Sequence, residues 1–316
     1  MKNKTIWAIA VILIITVFAN SCGGCNMKEY VNPIMEGADP FVLYHEGSYY
    51  LYATNATGEG FKVYSSKDMA SWKDEGFCLR KEDVMGDMGF WAPEIIYRNG
   101  LFYMVYVANE HLGVATSTSP LGPFKQEEKK WLSERQAIDG HFFIDDDGKI
   151  YLYYVRFDNG NVLYVTTMSD DMLSIDEKNE KFIFRASEDW ELKDESVVEG
   201  PFILKHNGIY FLTYSANHTR SPYYAIGYAT STSPMGEFVK HKGNPILKMN
   251  DEVNGVGHHS FVTTPKGELV CVYHSHYSKS QFTPRTICLD RAHFETKDGK
   301  TVLVIDGPTR TPQKAF

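Results

Sequence analysis

Three carboxylates in this sequence stand in settings that ordinary surface acids do not share. Asp39 precedes Pro40, Asp139 lies between Ile138 and Gly140, and Glu199 follows Val197-Val198 and leads into Gly200-Pro201. A fourth titratable group, His258, follows Gly255-Val256-Gly257. An acid with an apolar flank and an apolar run behind it either anchors a strand or does acid–base work. A pair of carboxylates across a cleft suits cleavage of a glycosidic bond: one, protonated, donates to the leaving oxygen, and the other, ionised, activates water. Burial raises a carboxyl pKa, so the apolar neighbours of Glu199 favour it as the acid. Asp39 then suits the base, and Asp139 would tune and orient Glu199 by charge and hydrogen bonding. The alternative is that all three cap turns, a task that asks for Asp or Ser rather than a Glu behind two valines.

The elements that would position these groups come from an internal repeat. Five segments align: Asp39-Pro40-Phe41-Val42-Leu43, Ala92-Pro93-Glu94-Ile95-Ile96, Asp139-Gly140-His141-Phe142-Phe143, Glu199-Gly200-Pro201-Phe202-Ile203 and His258-His259-Ser260-Phe261-Val262. Each carries an apolar pair three and four positions after its first residue, and each meets a glycine eight or nine positions after it: Gly47, Gly100, Gly148, Gly208 and Gly267. Each glycine opens a second apolar run, which is a hairpin signal. Third runs follow, such as Phe61–Ser66, Leu112–Ser117, Val162–Thr167 and Ala225–Thr230. Four short strands in a unit of roughly 50 residues, repeated radially, describe a propeller blade. No stretch keeps a helical period. The sequence therefore predicts an all-β, five-bladed β-propeller of four antiparallel strands per blade, covering residues 32–316. In such a fold the first strand of each blade lines the central channel. Asp39, Ala92, Asp139, Glu199 and His258 are then expected at equivalent positions around one end of it. Three acids facing one axis repel each other unless a substrate, proton or cation uses them.

Composition excludes some classes and leaves others. A net charge of −8, spread along the chain, argues against nucleic acid as a partner. The N-terminus is a separate object: Lys2 and Lys4 precede the apolar run Ile6–Phe18, which ends in Ala19-Asn20-Ser21-Cys22. This reads as a secretory signal over residues 1–21, followed by a cysteine resembling the lipidated Cys of bacterial lipoproteins. An uncleaved anchor helix is the other reading, but the run falls short of the ~20 residues a span needs. Residues 22–31 would then form a tether, with the protein exported and held on a bacterial membrane, periplasmic or at the cell surface, by lipid on Cys22. Of the other cysteines, Cys271 and Cys288 are placed on adjacent strands, as a disulfide or, as we favour, as two buried thiols.

Taken in order, Ala38-Asp39-Pro40, Trp91-Ala92-Pro93-Glu94, Ala137-Ile138-Asp139, Val198-Glu199-Gly200-Pro201 and Gly255-Val256-Gly257-His258, with the closing Asp306-Gly307-Pro308-Thr309-Arg310, resemble glycoside hydrolase family 43. The resemblance covers essentially the whole mature chain. It implies a five-bladed propeller and inverting hydrolysis of arabinose- or xylose-containing glycans, with no cofactor required. Matched by motif, Asp39 is the general base, Asp139 the pKa modulator and Glu199 the general acid. His258 matches a channel histidine that helps hold a calcium or other cation in some members; otherwise it packs inside the channel. Arg285, placed on a strand of the last blade after Pro284, matches an arginine that reaches the active site, the alternative being a surface or structural ion-pair role. Trp91 either stacks on a sugar face or packs in the core. Asp145-Asp146-Asp147-Gly148 looks calcium-like but falls at a hairpin turn, and a solvated turn is expected. His274 and His276 share a strand face and stay unassigned.

The expected activity is exo-acting, as an α-L-arabinofuranosidase or β-xylosidase. The lack of a further domain after Gln313 favours the former. Endo-arabinanase activity and a non-catalytic, surface-tethered glycan-binding propeller are the alternatives, and a binder would not need all three acids.

Overall fold

The computed structural model describes residues 28–316. The expected signal segment, Cys22, Cys25 and most of the tether lie outside the described residues. Five antiparallel sheets are arranged as blades. Blade one comprises Ala38–His45, Ser48–Thr54, Gly60–Ser66 and Lys73–Arg80; blade two, Trp91–Arg98, Leu101–Ala108 and His111–Ser117. Blade three comprises Ile138–Ile144, Ile150–Phe157, Asn161–Thr167 and Lys181–Phe184; blade four, Val198–His206, Ile209–Ala216, Ala225–Ser231 and Val239–Lys240. Blade five has Gly257–Thr263, Leu269–Ser275 and Thr286–Lys297, and its outer place is shared by Lys300–Ile305 and the N-terminal Met35–Glu36. The only helical pieces among the described residues are two single 3₁₀ turns.

Two details depart from the expected plan. Blade two has three strands rather than four; a single antiparallel bridge from Thr116 to Lys125 takes the fourth place. The segment after it is spent instead on packing, with Phe124 buried and its N–H donated to Cys78 O of blade one at 2.7 Å. The folded unit also begins before residue 32. Glu29–Tyr30 pairs with Gln313–Lys314, and the Tyr30 hydroxyl donates to Leu289 O at 3.1 Å. The two chain ends thus meet in a small two-stranded sheet of their own, which takes in the last residues of the expected tether.

The hairpin glycines act as the repeat implies. Glu46-Gly47, Asn99-Gly100 and Asn207-Gly208 all take positive φ between strands in direct register, the two-residue turn that suits the strand twist. Blades three and five use five-residue turns instead, 145–149 and 264–268. Asp145-Asp146-Asp147 is such a turn, its first two carboxylates paired with Lys205. Apolar side chains from the inner three strands fill the spaces between blades, so each blade buries both faces. Cys271 and Cys288 are buried free thiols on adjacent strands, opposite Asp290 and Tyr273 rather than each other.

Each first strand is broken near its start by a bulge, after Ala38, Trp91, Ile138, Glu199 and Gly257. The next residue takes a left-handed conformation in every blade: Asp39 (φ 50°), Ala92 (44°), Asp139 (56°), Gly200 (56°) and His258 (42°). This corrects the predicted alignment. Gly200, not Glu199, is the equivalent of Asp39 and Asp139; Glu199 stands one residue earlier, with Trp91 and Ile138. Four non-glycine residues in that region concentrate backbone strain at one mouth of the channel, a common signature of functional sites.

Candidate active site

The bulges free backbone N–H groups, and the neighbouring blades satisfy them. Asp39 N donates to His274 Nδ1 at 3.3 Å, Ala92 N to Thr54 Oγ1 at 2.9 Å, Gly200 N to Asp139 Oδ2 at 3.1 Å and His258 N to Ser215 Oγ at 2.8 Å. Each bond crosses from one blade to the next, so the strained turns are linked in a run from blade two through blades one, five and four to blade three. Asp39, Asp139 and Glu199 are 6%, 7% and 9% exposed and line a single open pocket with Trp91, Ile138, His258 and Arg285. Phe157, Asn159, Glu110, Arg220 and Phe282 form its rim.

The carboxylates sit in different electrostatic settings. Burial alone would raise Asp39, but Arg285 overrides it, donating from Nη1 to Oδ1 at 2.7 Å and from Nη2 to Oδ2 at 3.4 Å. His258 Nδ1 also lies 3.3 Å from Oδ1. Asp39 is held well below the usual carboxylate range and is ionised at neutral pH. Glu199 has the opposite balance: burial and then the Asp39 charge outweigh hydrogen bonds from Tyr224 and Asn161, pushing it up to about 7. Asp139 is raised well above its ordinary value by burial, then by Glu199 and Asp39. Asp139 and Glu199 titrate as a pair, because the repulsion between them acts on both. One pocket thus holds a carboxylate that stays ionised beside a pair that retains a proton near neutrality.

Arg285 lies just before the strand Thr286–Lys297 rather than on it, and its charge is committed to Asp39. Trp91 is half-buried, its outer part on the pocket and its inner part against the core of blades two to four. His258 packs between Asp39 and Asp139, 3.3 and 3.8 Å from their oxygens. Among the described residues no three His, Cys, Asp or Glu side chains converge in a metal-holding arrangement, and His258 is engaged by carboxylates of the site itself.

Several residues of the site carry no local signal in the sequence. Tyr224 and Asn161 donate to Glu199 at 2.8 and 3.0 Å. Thr219 Oγ1 lies 3.3 Å from both Arg285 Nη1 and His274 Nε2. His274, fully buried and pushed down to about 3 by burial and then Arg285, is a neutral partner of the Asp39 backbone. Its alternation with His276 was the one available hint. Behind the acids, the channel is lined by a second polar set. His141 donates from Nδ1 to Glu94 Oε1 at 2.7 Å and accepts Ile203 N–H at Nε2, while Ser260 donates to Pro40 O.

Residues 30–301 match the family model described as Glycosyl hydrolases family 43. Among solved structures, one titled endo-1,4-beta-xylanase from Bacteroides thetaiotaomicron superposes with a TM-score of 0.84 at 42% identity, covering 89% of this chain and 98% of that one. A beta-D-galactofuranosidase, xynD, of Aspergillus niger is 28% identical over 291 residues, 83% of this chain and 82% of the relative. The extracellular exo-alpha-(1->5)-L-arabinofuranosidase ArbA of Cellvibrio japonicus is 26% identical over 266 residues, 71% and 75% of the two chains.

Proposed function

The chain belongs to glycosyl hydrolase family 43 and is a glycoside hydrolase; from that premise we propose that it is an inverting exo-glycosidase of arabinose- or xylose-containing glycans, an α-L-arabinofuranosidase or β-xylosidase. The observation that carries the assignment of roles is the electrostatic split between Asp39 and Glu199 within one pocket. Asp39, kept ionised by Arg285, takes a proton from a water molecule as that water's oxygen attacks the anomeric carbon. The bond from that carbon to the leaving oxygen breaks, and Glu199 passes its proton to that oxygen. One displacement on the face opposite the leaving group inverts the anomeric centre. Asp139, raised by burial and then by Glu199, titrates with the acid as a coupled pair and fixes the backbone behind it by accepting the Gly200 N–H. Trp91 offers an apolar face to the sugar.

This division sets a bell-shaped pH profile. Activity is lost as pH falls through the depressed pKa of Asp39, and again as pH rises through that of Glu199, near 7. An exo-arabinofuranosidase among the relatives supports the exo reading, and a 42% identical structure named as an endo-1,4-beta-xylanase supports an endo-acting alternative. Product profiles separate them: single sugars released from chain ends, or internal fragments first. The sequence of residues 1–22 further supports export and anchoring through lipid on Cys22.

The assignment is tested by Glu199→Gln, which should abolish turnover of natural glycans while leaving sugar binding near the wild-type level. Turnover retained in this variant, or net retention of anomeric configuration by NMR in the wild type, overturns it.

A further inference from the structure

Gly257, in the motif ahead of His258, has no part in the acid–base chemistry, yet it leaves a slot. A Cβ there would meet Tyr224 Cε1 at 2.3 Å and Cδ1 at 2.5 Å. Gly257 pairs across the sheet with His274, and the Tyr224 ring stacks on that imidazole, 5.5 Å between centroids and 13° between planes. Tyr224 is fully buried at the entrance to the strand Ala225–Ser231. Its hydroxyl donates to Glu199 Oε1 at 2.8 Å, while Asn161 Nδ2 holds Oε2 at 3.0 Å. The same His274 accepts the Asp39 N–H at Nδ1.

We propose that Tyr224 is a positioning residue for the acid: seated between Gly257 and His274, it holds the Glu199 carboxyl in one orientation and, through the shared imidazole, in fixed relation to Asp39. The inference rests on Glu199 being the acid. A glutamate has three side-chain torsions to fix, and a misplaced catalytic group costs far more rate than it costs stability. Gly257 supplies space rather than backbone freedom, since its φ lies outside the left-handed region. Its role is to let an aromatic ring approach a strand where any side chain would push it away.

The charged and titratable groups around Glu199 come from four blades: Asp39 from one, Asp139 from three, Tyr224 from four, and His258, His274 and Arg285 from five. Of these, only Tyr224 donates a hydrogen bond directly to its carboxyl. That bond favours the ionised form, so removing it moves the acid's titration upward. Burial raises the Tyr224 phenol well above its ordinary range, which keeps it a donor throughout.

The test compares Tyr224→Phe, Gly257→Ala and Glu199→Gln with wild type, on an unactivated oligosaccharide and on the matching nitrophenyl glycoside, with thermal melts for each protein. Tyr224→Phe should lower kcat on the oligosaccharide about tenfold or more, with a smaller loss on the nitrophenyl glycoside, whose leaving group needs little protonation. The alkaline limb of its kcat/KM profile should rise by about one pH unit. Gly257→Ala should show the same pattern. Equal losses on both substrates with an unmoved alkaline limb would mean a merely structural tyrosine and overturn the proposal. If Gly257→Ala fails to fold, Tyr224→Phe decides alone. Turnover of the oligosaccharide by Glu199→Gln marks failure of the acid assignment itself, a result distinct from an unchanged Tyr224→Phe.

Discussion

Replacing Arg285 with methionine keeps most of its bulk and removes the charge that holds Asp39 ionised. The guanidinium lies 2.7 Å from Asp39 Oδ1, and the two side chains are 18% and 7% exposed, so the pair is only weakly screened. Unit charges ~4 Å apart at an effective dielectric near 20 interact by about 4 kcal/mol, and each pKa unit is worth ~1.4 kcal/mol. Losing the pair should therefore raise Asp39 by about two to three units. His258 does not replace the charge, because burial holds its own pKa down and favours the neutral ring. The sign follows directly. Asp39 must be ionised to act as base, its pKa is depressed by Arg285, and without Arg285 the acid limb of kcat/KM moves to higher pH. Stability should change in parallel. An unpaired buried carboxylate costs about 3–5 kcal/mol, and protonation relieves that cost. The melting temperature of Arg285→Met should thus fall well below wild type at pH 7, with a smaller gap at pH 4. The decisive assay is the pH dependence of kcat/KM, which reports the free enzyme. A raised KM with the acid limb within half a unit of wild type would show that Arg285 only contacts sugar, and the electrostatic reasoning would be wrong.

Two further outcomes complete the set. Asp139→Asn removes the repulsion that raises the Asp139–Glu199 pair, so the alkaline limb should move to lower pH, opposite to the shift expected for Tyr224→Phe; a limb that stays put or rises separates Asp139 from the acid's titration. Cys22→Ser should shift the protein from the membrane fraction to the soluble fraction in cells, and unchanged fractionation rules out a lipid anchor on that residue.

Much of the architecture was legible because a blade writes its geometry locally. Apolar runs ending in Glu46-Gly47, Asn99-Gly100 or Asn207-Gly208 specify hairpins through backbone conformation alone, and with the two glycine-containing five-residue turns they make five hairpins, which fix the blade number. The same logic identified Asp39, Asp139 and Glu199 as acids in unusual company. It also produced the one-residue error at Glu199. Allowing the turn glycine at eight or nine positions let the five-residue turns of blades three and five hide a slip in blade four.

Only the tertiary structure decided how the electrostatic surroundings of those acids differ. Register places Gly200 at the strained turn and Glu199 one residue before it, where Tyr224 and Asn161 reach its two oxygens. Arg285 comes to Asp39 from the far end of the chain, 246 residues away. A pKa is set by burial and by charges within a few ångströms, and closing the propeller brings those groups together from blades that the sequence keeps apart. The sequence determines that three carboxylates meet the channel; which of them keeps its proton follows from what the neighbouring blades put beside each one.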